Sequence, residues 1–523
     1  MTSIGIDAQI REAGSIAMPA RNPEAAAMAL RNMISHWAAT DPGRVAAIAA
    51  NQHFTYAELS NGVVFLHEHF ASKGLTAGSV AIVDVLSPVA NRLSLLAFRM
   101  LGIDVVPIHA QRLIERLAGL PGAFLVLSER EVASGRRSAP PGIPIPVHLV
   151  PEKLIREMSR PRDPTATPIV LRGRQSVFSS GTTGDPKRVV LKNENEHAIF
   201  DHHAETLGYG RDTVMQCGAM GPWGIGGFRF PACIWHLGGT VVFEMTRGPR
   251  DLQSHGVTHA HFFTAGLGAH LRGLPKDAPR LDHLSITVSG SPVSSSLVAG
   301  VTGRITKQLT NLFGSSEVAR HQLQRRFDGD PDEMNWFDTV AERAVDVVRE
   351  DGSSCAPGET GLLQHRLAPN DVDGYADDPV ATEKHFRNRC FSGGDLAVRR
   401  EDGRIKCVGR EDDVLNINSH KVPAGPYEAR VIKELDVEDA CLFVGLDDAG
   451  SELLVVCIES EAPVSKEALR TTASWLARKG RVAFSMHQRF PRGTSGTAKV
   501  QRRALQQEAF RKIGAHDRAA ARA

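Results

Sequence analysis

Hydrophobic and polar positions along this chain follow two spacings. Residues 24–38 carry Ala, Met, Leu and Ile at the three-to-four-residue interval of one helix face, which predicts an amphipathic helix. Val80-Ala-Ile-Val-Asp-Val-Leu86 is a near-continuous apolar run and predicts a buried strand. A helix around 90–101 and a strand at Val105-Val106-Pro107-Ile108 then complete a βαβ-like unit. Such alternation argues for an α/β fold in which helices cover a parallel sheet. Residues 134–168, with SGRRSAPPGIPIP and SRPRDPTATP, are rich in Pro, Arg and Ser. They predict a loop-bearing connector, not a domain end, because Val177, Phe178 and a glycine-rich loop follow at once.

The pattern changes near Arg410 to Asp413. Beyond it, the apolar runs 440–445 and 453–458 alternate with helical stretches near 425–435 and 466–479, which predicts a compact α+β unit. The expected organisation is a large N-terminal domain of helix-covered β-sheets over 1–411 and a small C-terminal domain over 412–523. From about Gln506 the Ala- and Arg-rich residues predict a frayed tail.

Composition narrows the class. At 523 residues, 42% hydrophobic and 23% charged, the chain has the make-up of an ordinary globular enzyme with room for two or more cores. A net charge of +2 gives no argument for nucleic acid as a partner. The seven cysteines are scattered and form no CxxC pair, so they read as reduced thiols in a reducing, cytoplasmic compartment. The start MTSIGIDAQIREAG has neither a basic nor an apolar leader region, so no signal peptide is expected. The most apolar stretch, Leu93 to Ile108, is interrupted by Arg99 and Asp104, which argues against a membrane span.

The candidate chemistry begins at Ser179-Ser180-Gly181-Thr182-Thr183-Gly184-Asp185-Pro186-Lys187. Glycines let backbone N–H groups converge on phosphate oxygens, the hydroxyls add donors, and Lys187 adds a cation. Alone, such a run is as readily a turn or linker. It is followed in order by Asn311-Leu-Phe-Gly-Ser-Ser-Glu317, Gly394-Asp395-Leu396, Gly409-Arg410-Glu411-Asp412-Asp413 and Ser495-Gly496-Thr497-Ala498-Lys499. Together these motifs resemble the acyl-adenylate-forming superfamily, which holds acyl- and aryl-CoA synthetases, peptide-synthetase adenylation domains, luciferases and amide synthetases. The resemblance runs from Phe54-Thr-Tyr-Ala-Glu-Leu59 to Leu505.

The resemblance implies ATP and Mg2+ as cofactors and gives each motif a task. The loop residues Ser179, Ser180, Gly181, Thr182, Thr183, Gly184 and Lys187 would hold the β- and γ-phosphates, with Thr182 also counted among the catalytic groups. Glu317 would bind the Mg2+ ion as a hard oxygen ligand. Phe313 would lie against adenine, and Ser316 stands where the family usually has a threonine near the α-phosphate. Asp395 would accept both ribose hydroxyls, and Arg410 would also reach the ribose. Asp412 falls at the hinge on which the small, mobile domain turns. Lys499 would be the catalytic lysine, bridging the carboxylate and the α-phosphate. Its neighbour is Ala498 where the family has glycine, and Gly393 replaces the usual threonine before Gly394-Asp395.

Ser419 takes the place of a glycine that lines the pantetheine tunnel of CoA ligases, which weakens CoA as acceptor without excluding it. For the acid, the expected pocket comprises Trp223, Gly224, Phe228, Phe263, Gly290 and Gly314. No aspartate lies within 218–230 to bind an α-ammonium group, so a free amino acid is not the expected acid. The glycine-rich, apolar lining points to a small carboxylic acid with a hydrophobic body. The acceptor would be CoA or a carrier-protein phosphopantetheine; an amine, giving an amide, is the runner-up, and a non-catalytic nucleotide- or acyl-binding homologue is third. Gly224-Ile-Gly-Gly-Phe-Arg229 lacks the third glycine of a dinucleotide fingerprint. His202, His203, His259 and His261 read as structural or solvent-facing, not as metal ligands, since no Cys, Asp or Glu accompanies them at ligand spacing.

Overall fold

The computed structural model describes residues 34–514, apart from 109, 165, 180–185, 194–195, 218–219, 245–248, 319, 341–344, 369–370, 418–419, 448–450, 478–480 and 493–498. Most of the predicted helix over 24–38 lies outside the described residues; a helix over Ser35–Thr40 follows it.

The described strands gather into several sheets joined by helices, a mixed α/β architecture. The largest is nine-stranded, in the order Asp338–Thr339, Leu323–Arg326, Leu309–Phe313, Ser285–Ser289, His259–Phe263, Val214–Gln216, Thr240–Val242, Val45–Ala49 and Gln52–Thr55. Its interior strands, from Leu309–Phe313 to Val45–Ala49, run parallel, and its outer pairs are antiparallel. Parallel strands need crossovers, and helices such as Ile225–Leu237 and Ser295–Arg304 supply them.

The unit predicted over 80–108 is part of a second, four-stranded parallel sheet: Asp104–Pro107, Val80–Val83, Ala123–Ser128 and Val147–Val150. Asp84 follows the strand Val80–Val83: its N–H donates to the Val126 carbonyl at 3.0 Å, and its carboxylate accepts from Arg137 Nε at 2.8 Å and Gln111 Nε2 at 3.2 Å. The connector over 134–168 carries more structure than expected, since Val147–Val150 completes this sheet and Leu154–Met158 is helical.

Arg99, the charge that interrupts the apolar run, is buried in helix Pro88–Met100. Its guanidinium bonds the Gly173 carbonyl at 2.9 Å, Asn193 Oδ1 at 2.9 Å and Glu196 Oε1 at 2.7 Å. A single buried cation thereby ties both flanks of the glycine-rich loop to the four-stranded sheet's helix.

A third, mostly antiparallel sheet contains Thr360–Arg366, Asp395–Arg399 and Ile405–Arg410. After Asp413 come the hairpin Val414–Ile417/His420–Pro423 and a three-stranded sheet of Asp439–Leu446, Glu452–Glu459 and Arg481–His487, flanked by helices Ala424–Leu435, Lys466–Leu476 and Arg502–Ile513. The expected frayed tail is instead this last helix. Leu505, Ala509 and Phe510 fall on one of its faces and are buried against Phe443, Val455 and Phe490. The Ala- and Arg-rich composition concealed that spacing. Among the described residues, no helix is long and apolar enough to cross a membrane.

Candidate active site

A hairpin presents the glycine-rich loop. Ser176–Phe178 pairs with Arg188–Val190, and the Ser179 N–H donates to the Lys187 carbonyl at 2.9 Å, closing the loop's base. The Phe178 N–H donates to the Trp223 carbonyl at 2.9 Å, which fixes this base beside the Gly221-Pro222-Trp223-Gly224 turn. The loop residues Ser180, Gly181, Thr182, Thr183 and Gly184 lie outside the described residues, as does Ser419.

Lys187 Nζ sits 4.7 Å from the ring centroid of Tyr375. The Tyr375 hydroxyl donates to Glu317 Oε1 at 2.8 Å, and the Ser315 hydroxyl donates to Glu317 Oε2. Burial and the adjacent Glu317 charge push the Tyr375 phenol well up, so it remains protonated and able to donate. The chain Lys187–Tyr375–Glu317 thus connects the loop to the motif that follows strand Leu309–Phe313. One bond at each Glu317 oxygen leaves lone pairs for an ion. Among the described residues no cluster of three or more His, Cys, Asp or Glu is arranged for a metal. A single carboxylate linked through Tyr375 to Lys187 fits Mg2+, which takes one or two carboxylates together with phosphate oxygens and water.

Asp395 and Arg410 lie directly opposite each other on adjacent antiparallel strands, with Arg410 Nη1 3.0 Å from Asp395 Oδ1. Arg410 Nη2 donates to the Gly393 carbonyl at 2.6 Å, while its Nε is buried and has no hydrogen-bond partner among the described residues. Gly394 turns the chain at φ +82°, and its carbonyl accepts from the Glu411 N–H at 2.7 Å. A carboxylate beside an arginine with a donor to spare suits a vicinal diol.

Lys499 is half-buried on the wall of the cleft that Asp395 and Arg410 also line. Burial lowers its ammonium below the ordinary lysine range, while the charges of Asp395, Glu317 and Asp413 pull it back up and Arg410 opposes them. Arg502, three residues on, anchors the segment: Nε lies 3.0 Å from Asp413 Oδ1 and Nη2 lies 2.8 Å from Glu428 Oε1. Sequence reasoning missed Tyr375, and it gave Asp413, inside the Gly409–Asp413 motif, and Arg502, just after Lys499, no part in the site. The pair Arg502–Asp413 binds the predicted hinge segment to the lysine-bearing one.

All these groups open on one cleft of about 3270 Å³, several times the roughly 300–1,000 Å³ of a single small-molecule site. Its wall brings together Ser179, Lys187, Trp223, Gly224, Phe263, Gly290, Phe313, Gly314, Ser316, Glu317, Asp395, Arg410, Asp412 and Lys499. Phe263, Ser289-Gly290 and Phe313-Gly314 sit at the carboxyl ends of adjacent parallel strands, where α/β sheets place their ligands. Gly290 has φ +97°, and a Cβ there would lie 3.1 Å from Phe263 Cδ1. Phe313 also packs against Phe337, their ring centroids 5.9 Å apart.

Two expectations about the acid pocket are corrected. Phe228 is not on the cleft wall: it packs in the cluster of Val177, Val189 and Tyr375. The Arg99 guanidinium carbon lies 5.6 Å from its ring centroid. The lining is also not simply apolar. Arg229, His203, His261 and His321 share it, all of them buried. The histidines expected to be structural therefore include two, His203 and His261, that reach the cleft. A lone arginine between Phe228 and Phe230 was the signal available in the sequence.

Residues 174–368 match the model of the AMP-binding enzyme family. The nonribosomal peptide synthetase sidE of Aspergillus fumigatus is 26% identical over 450 residues, covering 82% of this chain; the chain spans only about 20% of that synthetase's length. The fold is similar to o-succinylbenzoate CoA synthetase (MenE) from Bacillus subtilis in complex with an acyl-adenylate, at TM-score 0.73 and 19% identity over 91% of this chain and 98% of that one. It is equally similar to the amide bond synthetase McbA from Marinactinospora thermotolerans, at TM-score 0.74 and 20% identity over 93% and 100% of the two chains. Residues 174–368 thus carry an AMP-binding enzyme family domain, and the chain's relatives include nonribosomal peptide synthetases and acyl-CoA synthetases.

Proposed function

We propose that this protein is an ATP- and Mg2+-dependent, AMP-forming carboxylate ligase that passes its acyl group to a thiol. The carrying observation is that the Lys499 ammonium shares one cleft with Glu317, Asp395 and Arg410. The acid's carboxylate would attack the α-phosphorus of ATP and pyrophosphate would leave. Lys499 would offset the negative charge gathering on carboxylate and α-phosphate oxygens, an interaction strongest in the transition state. Asp395 and Arg410 would hold the ribose, the loop 179–187 the outer phosphates, and Phe313 the adenine face. Mg2+ bound at Glu317 would supply positive charge to the phosphate oxygens. In this reading the chain divides at 411/412, and rotation about Asp412 exchanges the lysine for an acceptor path past Ser419. A thiol, from CoA or carrier-protein phosphopantetheine, would then attack the acyl carbon, giving a thioester and AMP.

Amide formation is the second reading. It is favoured by Ser419 at the acceptor-tunnel position and by the similarity in fold to an amide bond synthetase. Pyrophosphate release with ATP and Mg2+ over a panel of acids, run with no acceptor, with CoA and with amines, separates the two. Stimulation by CoA with an acyl-CoA mass supports the thiol; stimulation by an amine with an amide mass supports the second reading.

A further inference from the structure

The floor of the acid pocket has a chemistry that an apolar substrate does not need. Helix Ile225–Leu237 sends Arg229 into it, 6% exposed. Helix Glu196–Leu207 sends His203, and His321 enters just beyond the Phe313–Glu317 motif. The His203 and His321 ring centroids are 5.2 Å apart, and Phe230 stands between His203 at 5.6 Å and His261 at 4.9 Å.

The hydrogen bonds divide these groups by role. His261 is satisfied at both nitrogens, by Thr287 Oγ1 at 2.8 Å and Ser289 Oγ at 3.0 Å, and belongs to the wall. His203 donates from Nδ1 to the Ile199 carbonyl at 2.7 Å, which leaves Nε2 as an acceptor for a neighbouring N–H. His321 Nε2 lies 3.2 Å from Gln324 Oε1, and its Nδ1 is buried without a partner among the described residues. The Gln324 amide can turn either atom to the ring, so His321 can present either a donor or an acceptor. Burial holds His203, His261 and His321 below the usual histidine range, which leaves the guanidinium as the fixed charge of the floor. His321, His202 and Arg229 all act on His203, and His202 acts on His321.

A permanent cation with a planar fork of donors, on a cleft wall and among other basic side chains, is suited to a carboxylate. We propose that the acid activated here carries a second anionic group, a distal carboxylate received by Arg229 with His321 beside it, so that Arg229 determines substrate specificity. The inference rests on the adenylation reading, whose Lys499, Asp395 and Arg410 line the same cleft. It replaces the purely hydrophobic acid expected from the sequence.

The test uses the full chain with ATP and Mg2+ and length-matched acids: butyrate against succinate, hexanoate against adipate, benzoate against the three benzenedicarboxylates, and hydroxybenzoates as a neutral polar arm. Pyrophosphate release is read as kcat/KM, alongside calorimetric binding of each acid in the presence of AMP. The best diacid is expected to exceed its monoacid by ~100-fold or more, since a site built around a polar group rejects the analogue that lacks it. Arg229→Met should erase that ratio while monoacid turnover persists, and Arg229→Lys should keep part of it. Should Arg229→Met not fold, His321→Phe with Arg229→Lys tests the same ratio. Monoacids or hydroxy acids preferred by the wild type, or equal losses for both members of a pair in Arg229→Met, would overturn the proposal and leave the ligase reading standing. No release with any acid would overturn both.

Discussion

Replacing Tyr375 with Phe removes one oxygen atom from the site and tests whether Glu317 is held in place for work. The hydroxyl donates to Glu317 Oε1 at 2.8 Å in a buried setting, so the bond is one to a charged acceptor. Such bonds contribute about 1.5–3 kcal/mol, against about 1 kcal/mol for a neutral pair. At 1.36 kcal/mol per tenfold in rate, Tyr375→Phe should lower kcat/KM for pyrophosphate release about 10- to 150-fold. The ring that lies 4.7 Å from Lys187 Nζ remains, so the loop's cation keeps its contact. The assay is pyrophosphate release as a function of Mg2+ concentration, because a misplaced Glu317 should also raise the Mg2+ requirement. Activity within twofold of wild type at limiting Mg2+ would refute the idea that this tyrosine orients the ion's ligand.

Further outcomes follow from other contacts. Arg99→Met would strand the Glu196 carboxylate, 3% exposed, and should destabilise the chain by about 3–5 kcal/mol in urea unfolding, with Arg99→Met/Glu196→Leu recovering most of it. Gly290→Ala places a side chain at φ +97° against Phe263; backbone strain of about 1–3 kcal/mol and a narrowed pocket should raise KM for the acid while leaving KM for ATP nearly unchanged. Because burial depresses Lys499, its cation is lost as pH rises through a value below the ordinary lysine range. The alkaline limb of the adenylation rate should fall there, and Lys499→Arg should move the limb upward if it retains activity.

The legible parts of this protein were those whose signal is local. Continuous apolar runs located the strands near 80 and 105 and the C-terminal sheet, and the ordered motifs pointed to Glu317, Asp395, Arg410 and Lys499, which line one cleft. The obscure parts were those that only tertiary packing brings together. Tyr375 lies 58 residues from Glu317 and Arg502 lies 89 from Asp413, and neither sits in a patterned segment. Arg99 was read as a break in hydrophobicity, although its burial is what braces the loop's flanks. The helix Arg502–Ile513 was obscured by composition, since three apolar positions among Ala, Arg and Gln give a weak periodic signal. Phe228 shows the reverse error: an aromatic in the right stretch is assigned to the pocket, whereas it packs with Val177, Val189 and Tyr375.

The central claim is that this cleft joins a carboxylate to AMP with Lys499 as the charge-stabilising group. It is tested most directly by acid-dependent exchange of labelled pyrophosphate into ATP, compared between the wild type and Lys499→Ala. The account predicts exchange by the wild type with a cognate acid and a loss of about 10²- to 10³-fold in Lys499→Ala, with ATP still bound by both. Undiminished exchange in Lys499→Ala, or wild-type protein that binds ATP yet exchanges with no acid from the mono- and dicarboxylic series, would contradict it.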